Sequence, residues 1–134
     1  RYLQCPVIIC HKSREKANVV GSITAIGEVE GKNVVIVDDM IDTAGTLAKA
    51  ANVLKEMGAV SVRARATHPV FSGPAYERIA ESALEEVIVS DTIPLTSDPD
   101  KDTSKITVLS MTDMFADIIN KVYNYEEISS SFIN

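Results

Sequence analysis

Apolar and polar positions follow two different periods along this chain, and the places where the period switches mark the expected elements. "CPVIIC" (5–10) reads as a first strand and as the run-up to a buried one. "HKSREKAN" behind it is polar and charged, and "VVGSITAIGEVEGKN" holds two short strand-like pieces around Gly21, Gly27 and Gly31, so a flexible flap or hairpin is expected after the first strand. "NVVIVDD" (33–39) is an apolar run that stops at two acids, the pattern of a strand buried on both faces of a parallel sheet. Helical spacing then takes over: Leu47, Ala50, Ala51, Leu54 and Met57 form one stripe, with Gly58 as a stop signal.

"SVRARATHPV" alternates Val62, Ala64 and Ala66 against Ser61, Arg63 and Arg65, which predicts a core strand ended by Pro69. Ser72 ahead of Pro74 is the expected N-cap of a helix running to about Ser82. "EEVIVSDTIPL" predicts another buried strand, "TSDPDKDTS" a loop, and "KITVLS" a last strand. In "MTDMFADIINKVYN", Met114, Phe115, Ile118, Val122 and Tyr125 share a helix face, and the polar "EEISSSFIN" closes the chain. Strands alternating with helices predict an α/β fold on a mostly parallel sheet flanked by helices. No repeat, low-complexity tract or linker divides the 134 residues, so one domain over 1–134 is expected.

The formal charge of −6 argues against nucleic acid or an anionic membrane as partner, both of which demand a spread excess of Lys and Arg. A phosphate site in such a chain has to be local. Cys5 and Cys10 point to opposite faces if they share one strand, and two unpaired thiols fit a reducing, cytoplasmic compartment. No apolar stretch approaches the roughly 20 residues of a membrane span. The opening "RYLQCPVIIC", without a methionine, suggests a fragment.

The chemistry concentrates in "VVIVDDMIDTAGT" (34–46), where a strand turns into a helix. Ligands of α/β proteins collect in such crevices. Gly45 permits close backbone approach, Thr43 and Thr46 add hydroxyls, and the helix start presents N–H groups and a positive dipole end to an anion. Asp38 and Asp39, just ahead, repel a phosphate but accept hydrogen bonds from a cis-diol. A phosphorylated sugar meets both demands. The competing reading has the two acids ending a strand and solvating a turn, with Asp42 or Thr43 as an ordinary helix cap.

"VDDMIDTAGT" resembles the loop shared by type I phosphoribosyltransferases and phosphoribosyl-pyrophosphate synthetases, and "VEGK", "ATHPVFSGPA", "SDTIPL" and "ISSSF" resemble the synthetases. The resemblance implies the type I phosphoribosyltransferase-like fold, as the carboxyl-terminal domain of an enzyme about twice as long. It also implies a site in which Asp38, Asp39, Asp42, Thr43, Ala44, Gly45 and Thr46 bind ribose 5-phosphate. "HKSRE" is similar to the family's Lys-x-Arg catalytic loop, which assigns Lys12 and Arg14 to stabilising the reacting phosphates, with Arg14 also counted among the sugar-phosphate contacts. Ser13 departs from a common middle arginine. The implied reaction is ribose-phosphate diphosphokinase chemistry: the diphosphoryl group of ATP moves to the 1-hydroxyl of ribose 5-phosphate with Mg2+, in a hexamer, for nucleotide biosynthesis. Alternatives are a type I phosphoribosyltransferase and a non-catalytic synthetase-like regulatory subunit. The metal's main protein contacts are expected upstream of residue 1, and the chain by itself is expected to be inactive. His68, Arg63 and Arg65 are given structural roles, His68 as a strand end satisfied by backbone.

Overall fold

The computed structural model describes residues 5–12 and 23–129. Nine elements follow one another: β1 (Ile9–Lys12), β2 (Ile23–Ile26), β3 (Asn33–Ile41), α1 (Gly45–Glu56), β4 (Ser61–Pro69), α2 (Ala75–Glu81), β5 (Glu86–Ser90), β6 (Ile106–Leu109) and α3 (Thr112–Tyr123). Strands β3-β4-β5-β6 form a parallel sheet in chain order, and β1 pairs antiparallel with β2 in a separate ribbon. The α/β class and parallel sheet expected from the alternation are therefore present; the ribbon pairs the first strand itself with β2, and residues 13–22 of the expected flap lie outside the described residues. No helix among the described residues is long and apolar enough to cross a membrane.

The core lies on one face of the sheet. Register places Ala64 beside Ile36 and Val87, so the buried Val62, Ala64 and Ala66 of β4 line up with Val87 and Val89 of β5. Against this face α1 lays Leu47, Ala50, Ala51 and Leu54, and α2 lays Ala75, Tyr76 and Ile79, the residues that helical spacing brings to one side. Burying the larger of these, Leu47, Leu54 and Ile79, supplies about 1.5–3 kcal/mol each. Helix α1 stops where Gly58 adopts φ 91°: its amide donates to the Lys55 carbonyl (3.0 Å) and the Ala59 amide to that of Leu54 (3.1 Å). Lys105 closes α2, its Nζ donating to the Ala80 and Ser82 carbonyls (2.7 and 2.9 Å).

Four expectations change. The first strand is Ile9–Lys12 and is not buried: Val7, Ile9 and Cys10 are exposed, because it pairs in the ribbon and not in the main sheet. Strand β3 is buried on one face only. It forms an edge of the sheet, and Val35 and Val37, on the side away from α1, are 59% and 74% exposed. The stripe of α3 is present as far as Val122 but leaves no residue buried, Tyr125 falls past the end of the helix with φ 59°, and Met57, at the C-cap of α1, is exposed too. Ser72 does not cap α2; Pro74 stands at that position with no side-chain cap bond, and the Ser72 hydroxyl is taken by Asp42 thirty residues earlier. Both cysteines are free, as expected.

Candidate functional site

Parallel strands deliver their carboxyl ends to one rim, and here the rim gathers Asp38 and Asp39 from β3, His68 from β4, Ser90 from β5 and, just past the strand ends, Thr92 and Ser110. Asp38 and Asp39 lie inside β3, not after it, so as neighbours on a strand they project toward opposite faces. Both are exposed. One oxygen of each folds back on the chain: the Asp39 amide donates to the Asp38 carboxylate (3.0 Å) and the Met40 amide to the Asp39 carboxylate (2.8 Å).

The turn from Asp42 to Thr46 connects β3 to α1. Its left-handed residue is Ala44 (φ 56°), which is buried, while Gly45 is the first residue of the helix. An L-residue in that region costs about 1–2 kcal/mol, a strain held in place by the surroundings. Neither Asp42 nor Thr43 caps α1, since no side chain makes a cap bond. The Ala44 carbonyl accepts from the Ala48 amide (2.9 Å), starting the helix. Among the described residues no acceptor meets the N–H groups of Thr43, Ala44 or Gly45. The first turn of α1 also carries no acid, so unpaired amides and the positive end of a 12-residue dipole face the same place. Chemically this is a nest for an anion, set beside two carboxylates suited to hydroxyls.

A second loop grips the first from behind. The Phe71 amide donates to the Ile41 carbonyl (3.0 Å) and the Ser72 amide to the Asp42 carbonyl (3.1 Å). The Ser72 hydroxyl donates to the Asp42 carboxylate, and Arg78 Nη1 to the Thr43 carbonyl (2.9 Å). Phe71 is itself left-handed (φ 45°) and is locked by an edge-to-face contact with Tyr76, centroids 5.2 Å apart. Ser72 and Arg78 are the residues that sequence reasoning missed at this site. Their signal was weak: the parallel β3–β4 register alone says that the loops following these strands are neighbours.

His68 is satisfied by a side chain and not by backbone. Its Nδ1 lies 2.9 Å from the Thr92 hydroxyl, and the Ser90 hydroxyl in turn donates to the Thr67 carbonyl (2.5 Å). Arg63 and Arg65 are exposed, Arg63 facing Glu86 (3.6 Å) and Glu85 (3.9 Å). Arg14 and Ser13 lie outside the described residues, and Lys12 enters only through its backbone in β1. No group of three or more His, Cys, Asp and Glu side chains able to hold a metal ion occurs among the described residues. Asp38 and Asp39 diverge across the strand, so they do not form a shared metal ligand set.

The family described as "Phosphoribosyl synthetase-associated domain" matches residues 4–133. Among curated relatives named ribose-phosphate pyrophosphokinase, that of Wolinella succinogenes is 55% identical over 127 residues, covering 95% of this chain and 40% of its own length. That of Campylobacter jejuni is 50% identical over 133 residues, 99% of this chain and 42% of its own. The solved structure of phosphoribosylpyrophosphate synthetase from Mycobacterium smegmatis is similar with a TM-score of 0.78 at 42% identity, over 90% of this chain and 37% of that one. The chain thus spans 40% and 42% of the length of these two curated relatives.

Proposed function

The chain belongs to the phosphoribosyl synthetase-associated domain family, and on that premise we propose that it is the sugar-phosphate half of a ribose-phosphate diphosphokinase. The observation that carries the reading is the β3–α1 turn, where the amides of Thr43, Ala44 and Gly45 have no acceptor among the described residues and stand ahead of the α1 dipole, with Asp38 and Asp39 just before it near the end of β3. In this reading the 5-phosphate of ribose 5-phosphate sits on residues Asp42 to Thr46, and the ribose hydroxyls lie along the β3 end. A carboxylate suits the diol because it accepts hydrogen bonds, and it excludes the phosphate from its own position by repulsion; since Asp38 and Asp39 project to opposite faces of β3, the one on the face of the turn meets the hydroxyls directly.

Holding both ends of the sugar fixes its 1-hydroxyl. That oxygen attacks the β-phosphorus of ATP, the bond between the α and β phosphates breaks, and AMP leaves; the chain contributes orientation. Lys12 and Arg14 are assigned, with the family, to cationic stabilisation of the transferred group. Magnesium, when bound, would supply charge neutralisation on the nucleotide phosphates. ATP as donor, a homo-oligomer and a cytosolic setting belong to the same proposal.

The test is turnover. With ATP, magnesium and ribose 5-phosphate, the protein extended to its relatives' length is expected to release AMP and form phosphoribosyl pyrophosphate, and residues 1–134 alone are not. Consumption of phosphoribosyl pyrophosphate with a nucleobase would instead identify a transferase, and no chemistry with an intact binding site would identify a regulatory subunit.

A further inference from the structure

Each bond that the 70–78 segment makes to the β3–α1 turn ends on an acceptor: the carbonyls of Ile41, Asp42 and Thr43 and the Asp42 carboxylate. That pattern has a geometric consequence. A trans peptide unit is planar, with its C=O and the following N–H pointing in opposite directions, and no cis bond occurs among the described residues. Fixing the carbonyls of residues 41, 42 and 43 from one side therefore aims the amides of Asp42, Thr43 and Ala44 to the other. The fourth plane is set by the helix, through the Ala44 carbonyl and the Ala48 amide. A nest of amides is worth most to an anion when it does not reorganise on binding, and here the clasp holds the planes in advance.

Arg78 is the member of the clasp that reaches furthest into the nest. Its Nη1 bonds the Thr43 carbonyl, which turns the Ala44 amide, and the guanidinium stands against Gly45: a Cβ there would stand 3.1 Å from Nη1 and 3.6 Å from Cζ, so the guanidinium would have to shift slightly from its place on the Thr43 carbonyl. Gly45 has no positive φ to explain its identity, since the left-handed position belongs to Ala44.

We propose that Arg78 is a positioning residue for the substrate phosphate, acting through the Thr43 carbonyl with Ser72 as its companion on Asp42, and that Gly45 is required because it admits the Arg78 guanidinium. The proposal rests on the assignment of the β3–α1 turn to the phosphate of ribose 5-phosphate.

The experiment is a double-mutant cycle in the protein of full relatives' length, measuring KM for ribose 5-phosphate and for ATP separately. Loss of a bond from a charged donor predicts that Arg78→Ala raises KM for ribose 5-phosphate by about tenfold or more and leaves KM for ATP and the unfolding midpoint within about twofold and a few degrees of the parent. Gly45→Ala raises the same KM in the parent and adds nothing in the Arg78→Ala background. Arg78→Lys, which keeps a charged donor, recovers part of the loss, and Arg78→Gln serves if the alanine variant folds poorly. An unchanged KM for ribose 5-phosphate in every Arg78 variant overturns the role of Arg78. A full Gly45→Ala effect in the Arg78→Ala background overturns the role of Gly45, leaving the glycine to serve the phosphate directly. Asp38→Asn and Asp39→Asn keep the two failures apart: if they weaken ribose 5-phosphate while Arg78 variants do not, only this inference falls, and if neither set matters the site assignment falls with it.

Discussion

Helices α1 and α3 are each 12 residues long, and each carries an apolar stripe at helical spacing, yet α1 buries four residues and α3 none. The difference is what each helix meets. Helix α1 follows β3 and returns over Val62, Ala64 and Ala66, so its stripe joins the core. Helix α3 follows the last strand; Met114, Phe115 and Val122 of its stripe stay exposed and Ile118 is half-buried. Periodicity therefore predicts that a helix forms and which side is apolar, and it does not name the surface that the side will cover. A stripe on α1 is worth core energy; the same stripe on α3 is worth little within these residues.

The largest expected effect breaks that contrast directly. Leu54→Ala empties a position that is 1% exposed and should cost about 2–5 kcal/mol, whereas Val122→Ala on α3, 57% exposed in the parent, should stay within about 0.5 kcal/mol. Denaturant unfolding of both variants measures the pair; equal costs would mean that α3 is packed as well as α1. A smaller effect sharpens the α1 side at its terminus. Gly58 holds φ 91°, and a Cβ there would stand 3.1 Å from Glu30 Cγ, so Gly58→Ala should lower stability by about 1 kcal/mol or more.

The smallest concerns the α3 side. The Asp91 carboxylate accepts the Ser110 hydroxyl (2.7 Å) and the Met111 amide (2.8 Å) at the head of α3, and these bonds, the hydroxyl foremost, hold its pKa below the ordinary aspartate range. A depressed pKa gives stability that is present above the ordinary value and lost as pH falls through the lowered one. Helicity followed by circular dichroism from about pH 5 to about pH 2 should show a modest loss on acidification, and Asp91→Asn should remove that component. A loss that persists unchanged in Asp91→Asn would assign it to other groups.

The same contrast separates what was legible in the sequence from what was not. Alternation in "SVRARATH", the stripe of α1 and the stop at Gly58 are local patterns, and they correspond to β4, α1 and its C-terminus as observed. "NVVIVDD" misled because a continuous apolar run specifies a strand with two apolar faces and says nothing of what covers each; Val35 and Val37 are exposed. Ser72 carried every local sign of a cap, and a carboxylate thirty residues away in sequence claimed its hydroxyl instead. Arg78 had no local sign at all, since its partner carbonyl lies 35 residues upstream. The strand-turn-helix around Gly45 was readable because consecutive residues form it. The clasp behind it was not, because only the parallel pairing of β3 with β4 brings the two loops together.

Everything turns on where the sugar phosphate binds, and one crystal structure of the full-length protein with ribose 5-phosphate measures it. The phosphate is expected about 3 Å from the amides of residues 43–45, with the ribose hydroxyls toward the carboxyl end of β3. A phosphate seated elsewhere, with those amides facing solvent, would contradict the account.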